Sequence, residues 1–397
     1  MMKDPIERNI TLSYVIASVG WSRFFLPVLA LFYIYSQVPF EQFTVIMAVF
    51  SLTILLLEVP TGVLADLLGK RKVIMLSKFL YIIEVYILAF HNGFWPFLIA
   101  KIISGAGVSL ASGADQALIY DTLKRLKREK DHKKVSGTIR FTSNTVRAFV
   151  FIIGGFLFSI SPKLTAIASL PFMVVNFILA TFLIEPYESK RKTTIKNSWL
   201  QLKEGLHYFR NHGYIKYITL FSIPVSAAIS VFLSSSSAYF EAILIPVSFI
   251  GVLAFISSVS SGYMAKVAHS IEEKLGEKKS ISLCQLAPTL GVFLMAIMIP
   301  KIGALFYFLI PITQGFFEVI TNDYMNKHVE SSHRATMLSM QSMFDQLGVF
   351  IAFPFVGYMT KLYSMQTAFL MFGGFIVVYL VILALCSKKI LGKHQLQ

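Results

Sequence analysis

The chain has 397 residues, of which 55% are hydrophobic and only 14% charged. Soluble domains carry about 25% charged residues, so most of this surface does not face water and a soluble globular fold is excluded. The formal net charge of +15 raises nucleic-acid binding, yet the bases gather in short runs between apolar segments rather than on one folded face.

Reading apolar runs as roughly 20-residue spans gives twelve segments: 10–35, 40–63, 73–91, 94–120, 137–160, 163–184, 214–238, 246–268, 280–299, 303–325, 336–358 and 363–386. The first run is too long for the apolar core of a signal peptide and reads as a spanning helix. With the N-terminus inside, the inter-span Lys and Arg fall almost entirely on the inner side, leaving only Lys163, Lys301 and Lys361 outside. That is the positive-inside asymmetry. It places both termini in the cytoplasm, makes the lipid bilayer the partner of the basic loops, and removes nucleic acid as one.

The first span carries Tyr14, Trp21 and Arg23. Between the second and third lies Gly62-Val63-Leu64-Ala65-Asp66-Leu67-Leu68-Gly69-Lys70-Arg71-Lys72, read as a loop. Gly62 is expected to let two helix backbones approach, and Gly69 to permit a tight chain reversal. Glu84 and Lys101 lie equally far from the hairpin at Asn92-Gly93, one on each adjacent span, which predicts an ion pair. Asp115 and Arg140 flank the next inner connection at comparable depth; Arg140, Asn144 and Arg147 share one helical face through their spacing. That face would either neutralise Asp115 or meet an anionic solute. Lys78 reads as a base that snorkels to the inner surface.

Six spans precede and six follow the polar stretch Glu185–Gly213. The expected organisation is an N-terminal bundle over 1–189, a cytoplasmic linker over 190–213 and a C-terminal bundle over 214–397, two pseudo-symmetric six-helix bodies. Within the linker, Trp199, Leu202, Leu206 and Phe209 recur at helical spacing, with Lys196, Lys203 and Arg210 on another face. Such an amphipathic helix lies either at an anionic inner leaflet or beneath the bundles. In the second half, Gly276-Glu277-Lys278-Lys279 faintly repeats Gly69-Lys70-Arg71. The seventh span bears Ser222, Ser226, Ser230, Ser234 and Ser237 on one face, the tenth Gln314, Glu318 and Asn322, and the eleventh Gln341, Asp345 and Gly348.

A charge at the bilayer centre costs about 2.5–3.5 kcal/mol even on the lenient insertion scale, so the intramembrane acids and bases must be paired or face a wet cavity. The second half offers Glu318 and Asp345 no intramembrane base except Lys266 near a helix end. An acid so placed is a candidate for loading and releasing a proton; Asp115 is the corresponding candidate of the first half. Cys284 and Cys386 lie in apolar segments and form neither a disulfide framework nor a metal site, and no G-x-x-x-x-G-K-[ST] phosphate loop is present. No cofactor is expected, and the absence of an intramembrane nucleophile–base set or metal motif argues against an enzyme.

The run 62–72 resembles the loop signature of the major facilitator superfamily, G-x-L-A-D-[RK]-x-G-[RK]-[RK], with Leu67 standing where a base is usual. The resemblance implies an all-α integral membrane fold of twelve helices and transport by alternating access. It assigns a gate to Gly62, Asp66, Gly69, Lys70 and Arg71, with the Asp66 carboxylate facing the start of the eleventh helix near Arg334, where the helix dipole favours an anion. It also implies a central cavity lined by the first, fourth, seventh and tenth helices. Here those supply Tyr14, Trp21, Arg23, Ser112, Asp115, Ser226, Ser230, Gln314, Glu318 and Asn322. Glu58-Val59-Pro60-Thr61-Gly62, Gly113–Asp121 and Arg334–Ser339 are similar to bacterial drug–proton antiporters, although Gly154-Gly155 lacks the proline of their fifth-helix motif. The implied protein is a monomeric antiporter of the bacterial inner membrane that exports a small molecule against protons. Import of an anionic metabolite and a non-transporting receptor or scaffold are the other readings.

Overall fold

The computed structural model describes residues 5–187, 195–298, 300–330 and 333–391, and among them every regular element is helical. In chain order these are α1 (Arg8–Val19), α2 (Leu29–Tyr35), α3 (Phe40–Leu68), α4 (Lys70–Phe90), α5 (Phe94–Arg125), α6 (His132–Ile160), α7 (Pro162–Thr181), α8 (Ile195–Asn211), α9 (Gly213–Ala242), α10 (Val247–Ile297), α11 (Pro300–Phe306), α12 (Leu309–His328), α13 (Arg334–Leu362) and α14 (Met365–Leu391). Ten of the described helical stretches are long and apolar enough to cross a membrane. One of them, α10, covers two predicted spans and turns at Gly276, whose φ of 75° is non-helical.

The first predicted span is not one helix. α1 stops at Val19, and the chain resumes as a 3-10 turn at Leu26–Val28 before α2. Pro27 marks where the helix restarts: it stands in the first turn of that segment, where its missing N–H leaves no bond unmade. The interrupted backbone finds other partners: the Phe24 amide donates to Ser169 Oγ at 2.9 Å. Irregular backbone at membrane depth persists only where such groups are re-satisfied within protein. The segment 62–72 also departs from expectation. α3 continues through Leu68 and the chain breaks only at Gly69, with φ 89°. A Cβ at Gly62 would meet nothing within 4 Å, so Gly62 mediates no close helix approach.

The chain forms two compact units. Unit 1 comprises residues 1–38, 56–198 and 247–255; unit 2 comprises 39–55, 199–246 and 256–397. The two short exchanged segments are held by small residues. In unit 1, a Cβ on Gly155 of α6 would lie 2.6 Å from the Gly251 backbone nitrogen of α10. One on Gly154 would overlap the Phe24 carbonyl and lie 2.9 Å from Pro27. In unit 2, a Cβ on Gly357 of α13 would overlap Thr44 of α3. Without a strong hydrophobic drive between helices in lipid, such close backbone packing supplies much of the attraction.

Unit 1 has an apolar core of Ile16, Val73, Ile74, Leu110, Leu118 and Leu183. Unit 2 buries an aromatic layer in which Phe232 meets Phe369 edge-on at 4.4 Å and Phe240 meets Tyr307 at 4.9 Å. The linker helix α8 packs on α13 of unit 2: a Cβ on Gly205 would lie 2.5 Å from Thr336 Cγ2, and Phe209 stacks on Phe344 at 5.4 Å. Its Lys203 and Arg210 remain exposed. The side chains of Lys196, Trp199 and Leu202 lie outside the described residues.

Candidate functional site

In unit 1 the ionisable side chains form a buried network around Glu84 of α4. Its side chain is fully buried; Lys101 Nζ of α5 lies 3.1 Å from Oε1, and Arg23 Nη1 lies 3.6 Å from Oε2. Arg23 comes from the break after α1, and its guanidinium also lies 4.9 Å from the centre of the Tyr81 ring. Desolvating a carboxylate this deeply is costly, and charge-assisted contacts offset the cost only when the geometry is good. Here two cations share one anion. Arg147 of α6 covers the Trp21 ring at 4.7 Å, a cation–π contact.

The partner expected for Asp115 is corrected. Asp115 of α5 pairs with Lys78 of α4 at 3.5 Å, whereas Arg140 of α6 is exposed and makes no ion pair among the described residues. Equal depth on consecutive helices did not separate Arg140 from a base on the other neighbour, and α4 presents Lys78 on the face packed against α5. Lys78 is only 7% exposed, so it does not snorkel. Ser112 is exposed and donates to the Ser109 carbonyl at 3.2 Å. Tyr14 lines a cavity of about 620 Å³ with Glu7, Arg8, Arg128, Asp131 and Lys134, away from the Glu84 network.

In unit 2, Glu318 and Asp345 meet no base among the residues that line their cavity. A cavity of about 350 Å³ is lined by Ser226 and Ser230 of α9, by Gln314, Glu318, Thr321 and Asn322 of α12, and by Gln341, Ser342, Asp345 and Gln346 of α13. The remaining lining residues are Ile229, Phe317, Leu338 and Val349, so no Lys, Arg or His contributes. Helical periodicity makes this wall: 226 and 230, 314, 318 and 322, and 341 and 345 each recur every four residues on one face. Gln314 Nε2 donates to Glu318 Oε1 at 3.1 Å, and Asn322 Nδ2 to the Glu318 carbonyl at 2.7 Å. Ser222 Oγ donates to Asp345 Oδ1 at 2.6 Å. Glu318 is exposed while Asp345 is half-buried, so Glu318 does not sit in the dry surroundings its span suggested and Asp345 is the more enclosed acid.

At the start of α4, Gly69 frees two amides that a carboxylate captures. Lys70 N–H donates to Glu185 Oε1 at 3.1 Å and Arg71 N–H to Oε2 at 2.8 Å. An anion at a helix N-terminus is favoured by the dipole and by the unpaired N–H groups. A Cβ on Gly69 would come within 2.9 Å of that carboxylate. Arg71 Nη2 donates to the Thr181 carbonyl at 2.8 Å, and Lys70 pairs with Asp121. Unit 2 repeats the turn at Gly276. There Glu277 accepts from Tyr214 Oη at 2.7 Å and Lys327 Nζ at 2.7 Å, with His328 Nε2 at 3.2 Å.

Sequence reasoning missed Tyr81, Glu185 and the cavity residues Thr321, Ser342 and Gln346. Ser342 and Gln346 lie one residue beyond Gln341 and Asp345, so the four-residue rhythm of α13 contained a wider polar face than the one read. Glu185 gave no comparable signal, because its partners lie more than a hundred residues away in sequence.

The family model of the Major Facilitator Superfamily matches residues 10–270 and 226–389. An uncharacterized transporter of Buchnera aphidicola subsp. Acyrthosiphon pisum is 22% identical over 322 residues, 77% of each chain. One of Rickettsia felis is 25% identical over 239 residues, 56% of each chain. Among solved structures, the nucleoside transporter NupG superposes with a TM-score of 0.78 at 16% identity, covering 96% of this chain and 99% of that one. A D-xylose-proton symporter superposes with a TM-score of 0.76 at 14% identity over 99% of both.

Proposed function

The chain belongs to the major facilitator superfamily, and on that premise we propose that it is a proton-coupled secondary transporter exporting a small polar molecule in exchange for protons. The observation that carries this reading is the unit 2 cavity, where Asp345 and Glu318 share a polar wall free of cationic side chains. A carboxylate with no fixed counter-charge can be neutralised in two ways: by a proton, or by a group on the transported solute. Occupancy by one then governs occupancy by the other, which is the linkage that coupling requires. The unit 1 acids are already matched by fixed bases, so Asp115 is a weaker coupling candidate than Asp345.

Alternating access needs the bundles to move as bodies. The turns at Gly69 and Gly276, each tied by an acid, suit stiff inner ends. The gating role of Asp66 belongs to the same proposal, and Asp66→Asn is expected to slow transport while leaving the protein folded. Uptake by symport is the second reading, favoured by the likeness to a nucleoside transporter and a D-xylose-proton symporter.

Proteoliposomes holding a lumenal pH dye distinguish the two. When a transported member of a panel of amines, sugars and nucleosides is added outside, exchange alkalinises the lumen and symport acidifies it. Solute entry with no proton movement would contradict both forms of coupling.

A further inference from the structure

The unit 2 cavity carries more information than its acidity. Gln341 is only 7% exposed and lines the cavity, yet its side-chain amide has no hydrogen-bond partner among the described residues. Its amide nitrogen and oxygen are open to the cavity rather than sealed, so a ligand offering an acceptor and a donor can reach both. Glu318 accepts one side-chain hydrogen bond, from Gln314, and Asp345 is met by the Ser222 and Ser226 hydroxyls, which leaves carboxylate lone pairs to spare. The volume of about 350 Å³ equals roughly twelve waters at about 30 Å³ each. A bare metal ion would leave most of it unfilled, while a solute of roughly a dozen heavy atoms would not.

Resting on the transport reading above, we infer that this cavity selects a small organic cation bearing hydroxyl or amide groups. Its ammonium-type group is met by the Glu318 and Asp345 carboxylates, and its polar groups by Gln341 and the α9 serines. An anion would face two carboxylates with no base among the lining residues. A neutral solute would gain the hydrogen bonds but leave the acids unneutralised. Charge-assisted hydrogen bonds are roughly twice as strong as neutral ones, so the aminated member of a matched series is the one the site holds best. The same choice explains exchange, because proton and cation neutralise the same oxygens and do not do so together.

The cation preference can be read without any transport. Ser230→Cys and, separately, Ser226→Cys are placed in a chain carrying Cys284→Ala and Cys386→Ala, which removes both native thiols. The thiol is then modified in proteoliposomes by trimethylammonium-ethyl methanethiosulfonate, itself a small organic cation, and by its anionic sulfonatoethyl counterpart. Each rate is divided by that reagent's rate with free 2-mercaptoethanol. The expected result is a cation preference of at least about tenfold, the lower end of electrostatic focusing in a cleft lined by one sign of charge. It should fall to about twofold or less when Glu318→Gln and Asp345→Asn are added. Equal rates, or a faster anionic reagent, at whichever cysteine position gives monodisperse protein would overturn the inference. That result with solute flux intact leaves the transport reading standing. A clear cation preference in the cysteine variants, with wild-type protein that moves no solute of the panel, would defeat the transport reading alone.

Discussion

In unit 1 a fully buried carboxylate is clasped by Lys101 and Arg23, and Asp115 has Lys78; in unit 2 two carboxylates line one cavity and meet only hydroxyls and amides. The same residue class therefore has opposite consequences in the two units. Where fixed bases answer the acids, charge is part of the packing, and removing one member leaves the others stranded in low dielectric. Where none does, the counter-charge must come from outside the fold and can be exchanged. On the proposed reading, intramembrane charge is structural or functional according to its partner, not its depth.

The comparison is broken most directly through Glu84. Glu84→Gln strands two bases and is expected to destabilise unit 1 by about 3–5 kcal/mol, read as a lowered thermal midpoint and loss of monodisperse protein. Adding Lys101→Met should recover part of the loss, and full stability of the single variant would contradict the clasp. Next in size is packing in unit 2. A Cβ on Gly315 of α12 would overlap the Ser261 carbonyl of α10, so Gly315→Val should cost about 1–3 kcal/mol or more in the same thermal assay. Glu185→Gln removes the charge from the α4 N-terminus and should cost about 1 kcal/mol. Proteolysis at the turn around Gly69 measures that loosening, and unchanged cleavage would count against the anchor. Smallest is Asp345→Asn, which keeps the size of the side chain and orphans no cation. Its thermal midpoint should stay within the equivalent of about 1 kcal/mol of wild type, and a larger fall would mean that Asp345 is structural like Glu84.

How much of this was legible follows from the kind of signal each feature leaves. Spans and both basic turns were readable because hydropathy and turn chemistry act locally; Gly69 and Gly276 take the positive φ that glycine permits. Depth placed Glu84 and Lys101 level on adjacent helices, and they meet. The same argument misled for Asp115, because depth fixes height along a helix and not which neighbour a face meets. The break at Arg23 was hidden by uniform hydrophobicity across residues 10–35, although Pro27 marked it. The fold left Glu185 no sequence neighbour to betray its partners. In unit 2 the four-residue polar rhythms predicted the faces, but only packing could show that α9, α12 and α13 turn theirs to one cavity.

The central claim is that Asp345 carries the exchangeable charge of the unit 2 cavity. It is tested most directly by comparing two fluxes of one transported solute in proteoliposomes: exchange of labelled for unlabelled solute, and accumulation driven by an imposed pH gradient. The account predicts that Asp345→Asn, which also loses one of the two carboxylates that meet the solute, still exchanges at saturating solute, since exchange needs no net proton movement, while gradient-driven accumulation is lost at any solute concentration. Accumulation by the variant equal to that of wild type would contradict it.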